Sequence, residues 1–165
     1  AIEFARKNNI PYLGLCYGIQ LATIEYARNK CGLEKANTTE NDPQSPHQVI
    51  DLLPEQLNVQ QKGGSMRLGG HDVRMIPHTK AAEMFGEQTR LRFRHRYEVN
   101  PAYVERLEKG GLIFSGRAPD QPIMQVLELQ DHPFFMATQA HPELTSRLDK
   151  PCPFFHEFLK TAAKN

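Results

Sequence analysis

Between Pro11 and Gln20 the chain reads Pro-Tyr-Leu-Gly-Leu-Cys-Tyr-Gly-Ile-Gln, an apolar run that ends in a cysteine bracketed by Gly14 and Gly18. A helical pattern starts directly behind it, with Ile19, Ala22, Thr23, Tyr26 and Ala27 recurring at three- and four-residue intervals. A strand that runs straight into a helix leaves room for one sharp turn, and Cys16 stands in it. This is the sequence form of a nucleophile elbow, which pushes one side chain clear of the backbone. One glycine is expected to allow the strained backbone and the other to let the helix approach closely. A cysteine at a helix start also gains from backbone N–H groups and the positive end of the macrodipole, which favour the thiolate. The usual fate of a free cysteine is a small buried core position. Cys31 and Cys152 have no such frame and keep that reading.

A base for this thiol is offered far downstream by His141-Pro142-Glu143. Residues i and i+2 of an extended segment point to one side, and proline is expected to hold this segment out of helix. Glu143 can then accept a hydrogen bond from one imidazole nitrogen while the other faces a thiol. Cys16, His141 and Glu143 are the candidate catalytic residues. The run Arg90-Leu-Arg-Phe-Arg-His-Arg96 places arginines on one strand face, with Leu91, Phe93 and His95 on the other. Three uses are open: a nucleic-acid patch, a solvated face, or forked recognition of a carboxylate or phosphate. The rest of the chain lacks the basic stripes that the first would need. No Cys-x-x-Cys or His-x-x-x-His spacing occurs, so no metal site is expected. Gly63-Gly64 and Gly69-Gly70 are not followed by the Gly-Lys-Ser/Thr of a phosphate-binding loop.

The remaining elements alternate. Strands are predicted over 10–15, 49–53, 90–99, 112–115, 123–129 and 134–140, with a further strand over 63–70 hinged by glycines at both ends. Helices are predicted over 17–30, closed by Gly32, over 101–109 with Asn100 as cap, and over 153–163. Residues 36–45 read as a loop. Strands alternating with helices favour an α/β sheet, and the late strands can add antiparallel hairpins. Residues 1–7 read as the end of an amphipathic helix without a cap or an initiator Met. The expectation is that the first residues of the natural domain are missing.

A chain of 165 residues fits one domain. Its net charge of +1 gives no global pull toward nucleic acid or membrane, and no apolar run approaches a bilayer span. Three scattered cysteines argue against a disulfide framework, so the expected location is cytoplasmic.

The elbow and His-Pro-Glu motifs resemble those of the class I glutamine amidotransferases. Within them the finer similarity is to the amidotransferase domains of the CTP synthase family. It is carried by Ala36-Asn-Thr-Thr-Glu40, Gly64-Ser-Met-Arg-Leu-Gly69, Arg94-His-Arg-Tyr-Glu-Val-Asn-Pro101, and Gln139-Ala-His-Pro-Glu143 with Ser146-Arg147. The resemblance implies a flavodoxin-like α/β fold, a mixed sheet flanked by helices, here lacking its first strands. It implies that residues 1–165 are the later part of an amidotransferase domain, with a synthetase domain absent. Cys16 would attack the side-chain amide of L-glutamine, with His141 as base and acid and Glu143 orienting it. The Tyr17 N–H would supply an oxyanion donor, and Gln20, Glu40 and Arg96 would hold the substrate. Arg96 would meet its α-carboxylate and Glu40 its amino group. Ammonia would pass to the synthetase domain, a ligase of pyrimidine biosynthesis that aminates UTP to CTP with ATP and Mg²⁺. GTP would act as activator, with Arg67 as its candidate contact, and the intact enzyme would be a homotetramer. No cofactor is implied for this domain itself. The family's glycine-rich oxyanion loop would precede Ala1, so a low glutaminase rate is expected of the isolated chain. Tyr17 stands where the nearest relatives often have Leu, and Leu144 where they usually have Phe. Competing readings are another class I enzyme, such as a γ-glutamyl hydrolase or a GMP-synthase subunit, and a non-catalytic module for regulation or assembly. The Arg-His-Arg-Tyr string weighs against the former, and retention of Cys16, His141 and Glu143 against the latter.

Overall fold

Apolar residues on β9 (Phe135–Thr138) alternate between two cores, Phe135 and Ala137 facing one and Met136 the other. A strand buried on both faces needs helices on both sides, and that is the architecture in the computed structural model, which describes residues 1–52 and 66–164. The main sheet has six strands: β1 (Tyr12–Leu15), β4 (Arg67–Met75), β5 (Gln88–His95), β7 (Ile113–Arg117), β8 (Met124–Glu128) and β9. Their order across the sheet is β1-β9-β8-β7-β4-β5. β1 runs parallel to β9, and the other neighbours are antiparallel. A smaller sheet joins β2 (Asn37–Thr38), β3 (Gln48–Leu52) and β6 (Tyr97–Val99). The mixed α/β sheet expected from the sequence is present.

One core lies under α2 (Tyr17–Asn29) and α4 (Pro101–Lys109), where Ile19, Ala22, Ala27 and Leu107 meet Val49, Phe114, Leu127 and Phe135. The other lies under α3 (Lys80–Phe85) and α5 (Pro153–Ala162), where Ala81 and Phe154 meet Val73, Phe93, Val126 and Met136. Phe93, Phe114, Phe135 and Phe154 are fully buried, and each contributes about 1.5–3 kcal/mol over an exposed ring. The short helix α1 (Ile2–Lys7) is tied to α2 by Arg6, whose guanidinium donates to Glu25 at 2.6 Å. No helix among the described residues is long and apolar enough to cross a membrane.

The structure revises several sequence expectations. The predicted strand over 90–99 is two strands: β5 ends at His95, the chain bends at Arg96, and β6 continues in the other sheet. The loop over 36–45 contains β2. Residues 63–65 and Leu53 lie outside the described residues. The strand expected at 63–70 runs through the second glycine pair as β4 and ends at Met75. The helix α3 was not anticipated. Its signals are the Thr79 hydroxyl, which accepts from the Ala82 N–H at 3.1 Å, and Gly86, which ends it at φ 76°.

Candidate active site

The elbow forms because β1 is packed tightly between its neighbour β9 and the start of its own helix. A Cβ at Gly14 would sit 2.6 Å from the Tyr12 hydroxyl oxygen, 2.9 Å from Ala137 Cβ and 2.9 Å from the carbonyl carbon of Gly18. Gly14 is therefore a close-approach glycine. The expected division of labour is corrected here, because neither Gly14 nor Gly18 has positive φ. The strained residue is Cys16 itself, at φ 50° and ψ −101°. Tyr12 pins the turn by donating its hydroxyl to the Gly18 carbonyl at 2.9 Å. Burial, with the nearby Glu25 carboxylate, pushes this phenol up to about 12, so it stays a donor. Gly14→Ala is expected to lower stability by about 1–3 kcal/mol, because backbone must move to admit the methyl. A urea-melt midpoint unchanged from the parent would contradict this.

Sheet register sets Cys16 and His141 against the same strand. Leu15 pairs with Thr138, and the Cys16 N–H donates to the Thr138 carbonyl at 2.8 Å. The chain after β9 then crosses to the far edge of the sheet. Ala140 bridges Phe93 of β5, and the His141 N–H donates to the Arg92 carbonyl at 2.8 Å. This places Arg94 of β5 beside the elbow, where its carbonyl accepts from the Cys16 thiol at 3.8 Å. The Gln139 amide donates to the same sulfur at 3.7 Å.

Burial pushes the Cys16 thiol up from its ordinary value, and the Glu143 and Glu40 carboxylates act in the same direction. The Tyr17 N–H and the Gln139 amide oppose this without overcoming it. The helix start favours the thiolate through the Tyr17 N–H, as the sequence suggests, but desolvation outweighs the two hydrogen bonds to the sulfur. A thiol held in this direction keeps its proton at neutral pH, and to act as a nucleophile it would need a base. His141 has the form of one. Its Nδ1 lies 2.6 Å from Glu143 Oε1; with Nδ1 donating to the carboxylate, Nε2 keeps its lone pair. The segment is not extended as the sequence suggested. Pro142–Leu144 is a turn of 3-10 helix with proline at its start, a position where the missing N–H costs nothing.

Glu40 and Arg96 are both exposed, and among the described residues the side chain of neither has a hydrogen-bond or ion-pair partner. Glu40 sits in the turn after β2, near enough for its charge to act on the Cys16 thiol. Arg96 occupies the bend between β5 and β6, two residues past the carbonyl that touches the thiol. Gln20 is 3% exposed, and its amide donates to the Tyr97 carbonyl at 3.0 Å and to Gln139 Oε1 at 3.4 Å. It lies beneath the site and supports this corner. Arg67, on β4 opposite His95, donates to Gln121 Oε1 at 2.8 Å and lines a cleft of about 570 Å³ with His71, Asp72 and Arg90. Its Nε is buried without a partner among the described residues.

Sequence reasoning overlooked His95, Glu98 and Gln139. His95 Nε2 lies 2.8 Å from Glu98 Oε1, both side chains being buried. This contact closes the turn that presents Arg96. The signal was available as a histidine in register with Leu91 and Phe93 and a glutamate three residues on.

A family model for class-I glutamine amidotransferases matches residues 1–161. A CTP synthase from Caldanaerobacter subterraneus subsp. tengcongensis is 52% identical over 161 residues, covering 97% of this chain and 30% of its own length. The chain thus spans under a third of that relative. The Trypanosoma brucei CTPS glutaminase domain with bound acivicin has the same fold at TM-score 0.91 and 36% identity, with 99% of this chain and 64% of that one covered. A GMP synthase protein from Thermoplasma acidophilum, at TM-score 0.60 and 14% identity, shares the fold over 99% of this chain and 62% of its own.

Proposed function

The chain belongs to the class-I glutamine amidotransferases, and on that premise we propose that it is the glutamine-hydrolysing module of a CTP synthase. One observation carries the choice of substrate: an unpaired carboxylate, Glu40, is near enough to act on the Cys16 thiol, and an unpaired guanidinium, Arg96, belongs to the bend two residues past the carbonyl that touches it. An α-amino acid presents the complementary pair of charges, and its side-chain amide then falls to the sulfur. Forked pairing suits Arg96 to the α-carboxylate.

The chemistry follows from the resting state. His141 Nε2 takes the Cys16 proton as sulfur attacks the amide carbon. The charge that develops on the amide oxygen is met by the Tyr17 N–H. The imidazolium returns the proton to the leaving nitrogen, the C–N bond breaks, and ammonia departs from a glutamyl thioester. Water, deprotonated by His141, cleaves the thioester to glutamate and restores the thiol. Glu143 holds the imidazole tautomer throughout, and Gln20 acts through the Tyr97 carbonyl to fix the corner that carries Arg96.

The similarity to CTP synthases supports the finer reading. Ammonia would be passed to a synthetase part of the same protein, which aminates UTP with ATP and Mg²⁺ in a cytoplasmic homotetramer. GTP would act as activator, with Arg67, which lines a cleft with His71, Asp72 and Arg90, as its candidate contact.

A diazoketone analogue of glutamine should alkylate Cys16 of the full-length protein, and glutamine should slow the reaction. Arg96→Ala should reduce the labelling rate at low analogue concentration about 10- to 100-fold, the worth of a charged hydrogen bond. Peptide mapping that places the adduct elsewhere, or labelling indifferent to glutamine, would refute the assignment. UTP-dependent CTP formation, from glutamine and from ammonia, separates the finer reading from other class I activities.

A further inference from the structure

We propose that the Tyr17 hydroxyl and the Asn41 side-chain amide form a latch that holds the loop carrying Glu40 over the elbow and thereby positions Glu40 for the α-amino group of glutamine. This rests on the glutaminase reading above and adds Asn41 and the Tyr17 side chain as positioning residues. Asn41 Nδ2 donates to the Tyr17 oxygen at 2.8 Å across 24 residues of chain.

The loop is tied down on its other side by main-chain and hydroxyl contacts. The Glu40 N–H donates to Thr38 Oγ1 at 3.2 Å. The Asn41 and Asp42 N–H groups donate to the Thr38 carbonyl at 3.1 and 3.0 Å. Thr39 Oγ1 donates to Asp51 at 2.7 Å. These contacts fix the loop to the smaller sheet. Arg28 of α2 holds the start of the segment, donating to the Ala36 carbonyl at 2.6 Å, and the Asn41–Tyr17 contact ties its Glu40 end to the same helix, whose first N–H points at the sulfur. Glu40 is left between the two anchorages with its carboxylate free.

Tyr17 thus spans two tasks. Its backbone faces the reacting carbonyl, and its side chain, 41% exposed, reaches out to the loop. A leucine or phenylalanine at this place would keep the first and lose the second, since neither can accept a hydrogen bond. A surface hydrogen bond adds little to global stability. Its effect here is on geometry, where a displacement of about 1 Å weakens a charged contact to substrate.

The test uses the full-length protein with Tyr17→Phe, Asn41→Leu and the double variant. Each single change should raise KM for glutamine about two- to tenfold, with kcat falling by a smaller factor. The double variant should be no worse than the poorer single one, because the two residues act as one contact. The decisive comparison is 4-carbamoylbutanoate, which keeps the carboxylate and amide of glutamine and lacks the amino group. Its inhibition constant should be the same in all four proteins. An equal shift for glutamine and this analogue would overturn the proposal, since the latch would then act on the elbow as a whole. So would additive effects or an unchanged KM. A parent protein that releases no glutamate from glutamine would instead sink the glutaminase reading, and is seen before any variant is made.

Discussion

Replacing Cys16 by Ala is expected to cut glutamine hydrolysis by about a millionfold, the scale seen when a covalent nucleophile is removed from a catalytic triad. No second thiol can take its place. Cys152 is buried and Cys31, whose thiol burial also pushes up, is held against the Arg106 carbonyl. The substitution removes one sulfur from a site whose other parts are fixed by backbone. The Cys16 N–H still meets Thr138, and Arg92 and Phe93 still hold the 140–141 segment. Glutamine should therefore still bind. Amination supported by free ammonia in the full-length protein should persist at close to the parent rate, because ammonia bypasses this site. Glutamate release assayed with high enzyme concentration checks the first outcome. A residual rate within a hundredfold of the parent would mean that sulfur is not the nucleophile.

His141→Ala is expected to cost about four to six powers of ten at neutral pH. The reason is the direction of the thiol shift. Burial holds Cys16 above the ordinary thiol range, so at neutral pH the sulfur carries its proton and cannot attack until a base removes it. With His141 present the base does this within the complex. Without it, activity must come from the fraction of free thiolate. That fraction rises tenfold per pH unit until the raised thiol pKa is passed. The variant should therefore gain rate steadily on the alkaline side, where the parent is flat. Combining His141→Ala with Cys16→Ala should cost no more than the cysteine change alone, since the two act as a unit. A variant profile parallel to that of the parent through neutral and alkaline pH would show that His141 is not the base.

The elbow was legible because it is local. Strand, turn, nucleophile and helix lie within about ten consecutive residues, and the strain is announced by flanking glycines. The role of those glycines was less legible. Gly14 is crowded by Tyr12 and Gly18 and also by Ala137, which is distant in sequence. The break at Arg96 was hidden for a similar reason. Alternation of polar and apolar residues continues from β5 into β6, so the pattern alone gives no sign that the two strands belong to different sheets. What separates them is the buried His95–Glu98 contact. The net direction of the thiol shift was not legible, because the helix start is visible in sequence and the degree of burial is not. Asn41 could not have been found at all, since nothing in residues 36–45 points to the phenol of Tyr17.

The Ala140–Phe93 bridge carries a consequence for how the molecule matures. The two groups that touch the sulfur, the Arg94 carbonyl and the Gln139 amide, lie 78 and 123 positions from Cys16 along the chain. The Gln139 amide arrives with the pairing of β1 and β9, and the Arg94 carbonyl only when the outermost strand β5 has closed onto the end of β9. Contacts of such separation are entropically expensive to close and form late. The surroundings of the Cys16 thiol are thus among the later parts of the fold to be completed, and a partly opened chain lacks them. On the glutaminase reading proposed above, the chain would stay silent toward glutamine until its sheet is whole.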